Sequence, residues 1–124
     1  MTSDSRIKRE GSIQTFRPDG KKGIRIREHV YDQLCAFILS ALDSEEGLTL
    51  HELLDKGNLD LPNISDNDVA WYLLQVKLDL EARGLIKVYT PIHQKRLYRI
   101  KLTRQGQKKL RTEKKLAGIN STES

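Results

Sequence analysis

The chain has 124 residues, of which 31% are charged and 37% hydrophobic, with a formal net charge of +5 and one cysteine. This length predicts one domain with one modest core. The longest apolar-rich stretch, residues 34–42, is far shorter than the roughly 20 residues of a membrane-spanning helix, so no membrane partner is expected. The lone cysteine cannot form an intrachain disulfide, and the first ten residues lack the apolar segment of a secretory signal. A reducing, cytoplasmic location is therefore expected.

The charges are unevenly distributed along the chain. Residues 1–27 hold eight Lys/Arg against three Asp/Glu, a net charge of +5. Residues 28–83 hold three against twelve, a net charge of −9, and residues 84–124 hold eleven against two, a net charge of +9. A polyanionic partner would therefore have to contact the two basic ends.

The N-terminal region divides into a tail and an arm. Residues 1–13 are polar and lack periodicity, which predicts a disordered tail. Residues 14–27 contain two short apolar pieces around a Pro-Asp-Gly turn signal, which predicts a basic arm or a hairpin. Gly20 and Gly23 would supply positive φ angles there.

Three helices are predicted next. The first follows an apolar stripe of three- and four-residue steps through residues 27–47 and ends at Gly47. The second starts at Thr49, which has Glu52 at the spacing of a capping box. The third is capped by Ser65 and buries one stripe, and Gly84 ends it in a Schellman motif that pairs residue 80 with residue 85. The stripe comprises Val69, Leu73, Val76 and Leu80, reinforced by Tyr72.

The C-terminal part is predicted to contain a hairpin and a helix. Residues 85–89 and 96–102 are rich in β-branched and aromatic residues and flank a turn that contains Pro91. Thr103 would then cap a basic fourth helix over residues 104–116, and residues 117–124 would form a polar tail.

This order of elements resembles a winged helix-turn-helix domain over residues 28–116. The motifs that carry the resemblance are "LEARGLIKVY" and "LYRIKLTRQGQKKL". They are similar to the run in MarR-like and PadR-like regulators in which a recognition helix ends at a glycine, an apolar pair opens the wing, and Leu-Thr-x-x-Gly closes it. "RPDGKKGIRI" together with "WYLLQVKLDLEARG" also resembles a group of small bacterial proteins of unassigned function. The implied fold is α+β and mainly helical, with three helices, a two-stranded wing and a C-terminal helix.

The resemblance implies a DNA-binding transcriptional regulator whose third helix enters the major groove while the wing flanks it over the phosphates. Asn67 and Gln75 would then supply limited base readout. Phosphate contacts would come from the wing tip and the arm, which carry His93, Gln94, Lys95, Arg96, Arg17, Lys21, Lys22, Arg25 and Arg27.

A second hypothesis follows from the third helix itself, because residues 65–76 hold two aspartates and no Lys or Arg. Such a face would be repelled by phosphates. In this alternative Trp71 packs against the N-terminal arm or a second subunit, and the acidic helix is the interface of a homodimer or of another protein complex.

An enzyme is not expected. The three histidines, His29, His51 and His93, lie in different predicted elements without a neighbouring cysteine, so no metal site is expected. Cys35 lies among apolar residues, which favours a buried, inert thiol. "PDGKKG" lacks the spacing of a phosphate-binding loop. No catalytic residue and no cofactor are therefore predicted.

Overall fold

The described residues form four helices and five short strands. The computed structural model describes residues 11–44, 46–61, 69–93 and 97–123, with side chains as far as Lys114. In chain order the elements are β1 (Ser12–Phe16), β2 (Lys22–Arg27), α1 (Glu28–Ala41), β3 (Leu48–Thr49), α2 (Leu50–Asp60), α3 (Val69–Ala82), β4 (Ile86–Tyr89), β5 (Arg99–Leu102) and α4 (Arg104–Glu123). The fold is α+β and mainly helical, as predicted, with two small antiparallel sheets. Within the described ranges, no helix is long and apolar enough to cross a membrane.

Strands β1 and β2 form an antiparallel hairpin, which was one of the two alternatives for the arm. Gly20 has a φ of 88° in its turn, as predicted, and donates its N–H to the Arg17 carbonyl at 2.9 Å. The hairpin begins at Ser12, before the predicted boundary between tail and arm. The reason is that Ile13 pairs with Ile26 across the strands and both side chains pack on the core. The first ten residues of the predicted tail lie outside the described residues.

A bulge at Thr15 shapes the hairpin. The strand register shifts between Gln14 and Phe16. The buried Thr15 hydroxyl fills the gap, since it donates to the Ile24 carbonyl at 2.8 Å and accepts from the Ile24 N–H at 2.9 Å. The prediction of a positive φ at Gly23 was wrong. Glycine is needed there because a Cβ atom would lie 2.4 Å from the Thr15 Oγ1 atom.

The first helix is shorter than predicted. It ends at Ala41 instead of Gly47, and the Leu42 N–H donates to the Ile38 carbonyl at 3.0 Å as the cap. Gly47 has a φ of 70°, and a Cβ atom there would lie 2.0 Å from the carbonyl oxygen of Ile100. The chain therefore leaves the helix early to bring Gly47 against β5.

Helix α2 begins with the predicted capping box. The Glu52 N–H donates to the Thr49 hydroxyl at 3.1 Å, and the Thr49 N–H donates to the Glu52 carboxylate at 2.9 Å. The sequence did not predict strand β3, which comes directly before this helix. Leu48 and Thr49 pair there with β5, so a two-residue strand becomes the third member of the second sheet.

Helix α3 ends in the predicted Schellman motif. The Leu85 N–H donates to the Leu80 carbonyl at 2.9 Å, and the Gly84 N–H donates to the Glu81 carbonyl at 3.1 Å. Gly84 has a φ of 79°, the left-handed conformation that this cap requires. Ser65, the predicted N-cap of this helix, lies outside the described residues.

The second sheet has the strand order β3-β5-β4. One face packs on the helices and the other faces solvent. All four residues of the stripe predicted for the third helix are buried. The core joins α1, α2 and α3 to the hairpin, the inner face of this sheet and α4, and comprises Ile26, Tyr31, Leu34, Cys35, Ile38, Leu39, Leu42, Leu53, Leu61, Val69, Leu73, Val76, Leu80, Ile86, Ile100, Leu102 and Leu110.

Thr103 joins the end of α3 to the start of α4. Its hydroxyl accepts from the Gly106 N–H at 3.1 Å, as the predicted cap would, and also donates to the Gly84 carbonyl at 2.6 Å. A Cβ atom at Gly106 would lie 2.0 Å from the carbonyl oxygen of Leu85. The Leu-Thr-x-x-Gly motif therefore seats the first turn of α4 directly on the chain that leaves α3.

Helix α4 is longer than predicted. It continues past the predicted end at residue 116 to Glu123, into the stretch that was expected to form a polar tail; the last residue lies outside the described residues. Within that stretch the only strong helix breaker is Gly118, which costs a helix about 1 kcal/mol relative to alanine.

Candidate nucleic-acid interface

The solvent face of the second sheet carries a pair of lysines. Lys87 and Lys101 are direct cross-strand neighbours in β4 and β5, and Tyr89 and Arg99 form the next pair on the same face. The Lys101 ammonium group lies 5.3 Å from the centre of the Tyr89 ring. Like charges directly opposite each other destabilise a sheet, so a bound anion would relieve a cost that the isolated chain bears.

The predicted wing tip is described only in part. His93 is exposed within the β4–β5 connection, and Gln94, Lys95 and Arg96 lie outside the described residues. Two large apolar side chains flank the tip, since Ile92 is 83% exposed and Tyr98 is 64% exposed.

Helix α4 adds a row of cations. Arg104, Lys108 and Arg111 recur at four- and three-residue steps, which places them on one side of the helix, and all three are exposed. Among the described residues, none of the three forms an ion pair with a carboxylate. Lys109 and Lys114 differ, because they lie 3.3 Å from Glu113 and 2.9 Å from Asp43, respectively. The row is therefore the part of α4 whose charge is not balanced by described residues.

Helix α3 presents an apolar face rather than an acidic one over its described length. Asp79 is fully buried, and Glu81 lies 2.9 Å from the Lys77 ammonium group. Trp71 is 48% exposed and Gln75 is half-buried. The predicted acidic character rests on Asp66 and Asp68. These two aspartates, and the predicted base-reading Asn67, lie outside the described residues.

The hairpin brings cations to the side of α3. Arg25 and Arg27 lie two residues apart on the same face of β2. They line a groove of about 330 Å³ together with Ile26, Val30 and Tyr72. Because the Arg25 Nε atom donates to the Ser12 hydroxyl at 3.0 Å, its guanidinium group is held in place. The strand therefore supplies positive charge next to a helix whose exposed face lacks it.

The five arm residues predicted to bind DNA fall into two groups. Arg25 and Arg27 line the groove, whereas Arg17, Lys21 and Lys22 lie at the turn of the hairpin. Arg17 also forms a loose ion pair of 3.9 Å with Asp19. The sequence predicted the cations but could not separate the two groups, because the register of the strands decides which side chains share a face.

Trp71 lies beside this groove. Its ring meets the Tyr72 ring edge to face, with centroids 5.2 Å apart and an angle of 68° between the planes. Tyr72, and not Trp71, lines the groove with the hairpin. Trp71, which was expected to pack on the arm or on a second subunit, is half-exposed and contacts the Tyr72 ring.

Asp79 anchors the hairpin to the helices. Its Oδ1 atom accepts from the Phe16 N–H at 2.9 Å, and its Oδ2 atom accepts from the Tyr31 hydroxyl at 2.5 Å and from the Arg83 Nε atom at 2.6 Å. Burial, and then the hydrogen bond to Asp79, raises the pKa of Tyr31 well above its ordinary range. The hydrogen bond to Asp79 also raises the pKa of Arg83. The arm is therefore fixed in place by a satisfied buried network.

The sequence analysis missed this network. A signal existed, because Asp79 lies directly before the last residue of the buried stripe, Leu80, where a lone carboxylate needs partners. Tyr31 lies one helical turn before two residues of the first helix that are also buried, Leu34 and Cys35. Only the fold shows that these residues and a strand from the N-terminal arm meet at one point.

The remaining candidate groups are the Cys35 thiol and the side chains that could bind a metal ion. Cys35 is buried, and this burial raises the pKa of its thiol to about 11, so it stays protonated at neutral pH. No group of three or more His, Cys, Asp or Glu side chains among the described residues could hold a metal ion.

The profile of a family of unknown function, DUF6958, matches residues 12–97. The chain belongs to this family. No curated protein and no solved structure matches the chain. The matched segment of the chain begins with β1. The family profile therefore includes the N-terminal hairpin as well as the helices on which it packs.

Proposed function

We propose that this member of DUF6958 is a winged-helix protein that binds double-stranded DNA as a transcriptional regulator and catalyses no reaction. Its wing is β4 and β5 with their connection, and its phosphate contacts come from the wing, α4 and the basic hairpin. The pairing of β3 with β5 supports this proposal, since it ties the strand between the first two helices to the hairpin that follows the third. This pairing supports the arrangement of α2, α3 and the sheet that the sequence resemblance implies.

The cross-strand pair of Lys87 and Lys101 carries the proposal. The pair lies on the solvent face of the sheet, and the row of Arg104, Lys108 and Arg111 begins soon after β5 ends. Cations without balancing carboxylates attract phosphates of any sequence, and release of counterions makes such binding salt-sensitive. This surface would position the protein on a duplex, and the base contacts would have to come from α3.

The test compares two double variants that remove equal charge. A labelled random duplex is titrated with the native protein, with K87Q/K101Q and with K109Q/K114Q, at several salt concentrations, and binding is followed by fluorescence anisotropy. K109Q/K114Q is the matched control, because both of its lysines already have a carboxylate partner. We expect K87Q/K101Q to weaken binding by about tenfold and to lower the salt slope by about 1.8, or 0.9 for each lost contact.

Two results would contradict the proposal. If the native protein does not bind the duplex even at low salt, the surface serves another purpose. If both double variants weaken binding equally, only the net charge matters and the sheet face is not the contact surface.

The apolar face of α3 favours one other function, a protein–protein or homodimer interface. Trp71 is 48% exposed, and Leu74 and Leu78 are half-buried on neighbouring turns. Exposed aromatic residues commonly anchor interfaces. Under this alternative, Trp71→Ala would lower the sedimentation coefficient to that of a monomer, whereas Tyr98→Ala, at a more exposed aromatic residue, would not. A native protein that sediments as a monomer would exclude the homodimer.

A further inference from the structure

The groove between the hairpin and the helices combines two kinds of wall. Ile26 and Val30 supply apolar atoms, and the ring of Tyr72 lies along one side. The opposite rim is β2, where Arg25 and Arg27, which share one face of the strand, line the groove. At about 330 Å³ the groove is large enough for a small organic group. It therefore offers a planar ring a place to stack and an anion a place to bind.

The two arginines have the spacing of a repeated anion. Residues two apart on one strand face are separated by roughly 7 Å along the strand. Since the Nε atom of Arg25 is bonded to the Ser12 hydroxyl, its two terminal nitrogens remain to form a forked pair of hydrogen bonds with a phosphate. Arg27 is exposed on the same rim. The rim thus suits a chain that carries successive phosphates.

We infer that this groove binds single-stranded nucleic acid, with one unpaired base stacked on Tyr72 beside Trp71 and the flanking phosphates held by Arg25 and Arg27. Base stacking on aromatic rings combined with a cationic groove is the usual way in which single strands are bound without sequence preference. A paired base in a duplex is stacked between its neighbours and could not enter the groove unless it left the helix. The groove therefore discriminates unpaired from paired bases.

This inference deepens the proposed nucleic-acid binding but depends on other residues. Although the basic hairpin can also contact duplex phosphates, the duplex test changes only Lys87 and Lys101 of the sheet face, whereas single-strand binding is assigned to Tyr72, Arg25 and Arg27 of the hairpin groove. The two sites can therefore fail separately, and a protein with both would prefer a junction between paired and unpaired DNA.

The experiment uses the only tryptophan of the chain as its probe. The 124-residue chain is titrated with an oligothymidylate of about twelve nucleotides, about the length of one such binding site, while the fluorescence of Trp71 is recorded. The same titration is followed by anisotropy with an end-labelled oligonucleotide. We expect a saturable, salt-sensitive loss of Trp71 fluorescence, because a base stacked on Tyr72 lies against the neighbouring indole ring.

Matched variants locate the site. R25Q/R27Q should weaken oligothymidylate binding at least tenfold, whereas K21Q/K22Q, which removes equal charge at the turn of the same hairpin, should weaken it less than threefold. Tyr72→Leu should weaken binding about tenfold, and Tyr72→Phe should keep native affinity because the ring remains. The four arginine and lysine positions are exposed, so these variants test the site even if a substitution at Tyr72 unfolds the protein.

Each result is decisive for one of the two proposals. The inference is overturned if oligothymidylate leaves Trp71 fluorescence unchanged and does not bind, if R25Q/R27Q and K21Q/K22Q have equal effects, or if an unlabelled duplex displaces the oligonucleotide as efficiently as another single strand does. Loss of duplex binding in K87Q/K101Q with native oligothymidylate affinity would support two separate sites. If the native protein binds single strands but does not bind duplex DNA, only the proposed function is overturned.

Discussion

The backbone N–H of Phe16 donates to the buried carboxylate of Asp79 at 2.9 Å, which joins the first strand of the chain to the third helix. The same carboxylate binds Tyr31 on α1 and Arg83 at the end of α3. A segment that could have been a loose basic arm is thereby part of the folded body. The cations of the hairpin are held at one place relative to α3, and they can form a defined site with Tyr72.

Asp79→Ala should strongly destabilise the fold, because it leaves a backbone N–H, a hydroxyl and a guanidinium group without their acceptor. We expect the free energy of unfolding to fall by about 3–5 kcal/mol. Chemical denaturation followed by circular dichroism measures this change. Glu81→Ala is the control on the same helix, since its partly exposed pair with Lys77 is worth at most about 1 kcal/mol. Equal losses in the two variants would mean that the network does not hold the hairpin.

Gly23→Ala should destabilise the hairpin. The new methyl group would lie 2.4 Å from the Thr15 hydroxyl, and the displaced hydroxyl could no longer bond to both backbone groups of Ile24. Overpacking of this kind costs about 1–3 kcal/mol, seen as a lower midpoint of thermal unfolding. Gly11→Ala is the control, because its methyl group would meet the nearest atom, on Glu28, at an ordinary 3.4 Å. A Gly23→Ala protein as stable as the control would show that the bulge yields at little cost.

Thr103→Val should loosen the junction between α3 and α4. The substitution keeps the shape of the side chain but removes both the acceptor for Gly106 and the donor to Gly84. A loss of about 1–3 kcal/mol is expected in urea denaturation. Thr112→Val removes a hydroxyl that bonds only to the Lys108 carbonyl on the exposed side of α4, and should change stability by less than about 1 kcal/mol. If the two substitutions cost the same, Thr103 is not a special link between the helices.

Stability should fall at alkaline pH because of Cys35. Burial raises the pKa of this thiol from 9.0 to about 11, so the folded state keeps a proton that the unfolded chain loses. The stability that the protonated thiol contributes to the fold is complete below pH 9.0 and is lost as the pH rises towards about 11. The loss in the free energy of unfolding is up to about 1.4 kcal/mol per pH unit. Urea denaturation at pH 8, 9 and 10 measures the slope. Cys35→Ala should have a shallower slope, and an unchanged slope would contradict the assignment.

The row on α4 should add to the salt dependence of duplex binding. Each phosphate contact contributes about 0.9 to the slope of log affinity against log salt, so R104Q/K108Q/R111Q should lower the slope by up to about 2.7. The measurement is an anisotropy titration with a random duplex at salt concentrations between about 50 and 200 mM. Over this range phosphate contacts change the affinity strongly. If the triple variant keeps the salt slope of the native protein, α4 does not contact the DNA.

Several local features followed from the sequence because neighbouring residues produce them. The capping box of Thr49 and Glu52, the cap at Thr103 and the glycine stop at Gly84 each depend on residues only a few positions apart. The buried stripe of α3 follows from the period of a helix. Where local signals were weak, the boundaries moved: α1 ended before Gly47, and α4 continued past residue 116.

What the sequence alone determined was the order of the four helices and of the hairpin between the third and the fourth, the separation of charge along the chain and most of the residues that could face the core. Only the tertiary structure decided which distant residues meet. Strand register placed Lys87 opposite Lys101 and put Arg25 and Arg27 on one rim, and the packing of the hairpin brought Phe16 to Asp79. Such contacts depend on how elements far apart in the chain pack together, and the pattern within any one element carries no information about that.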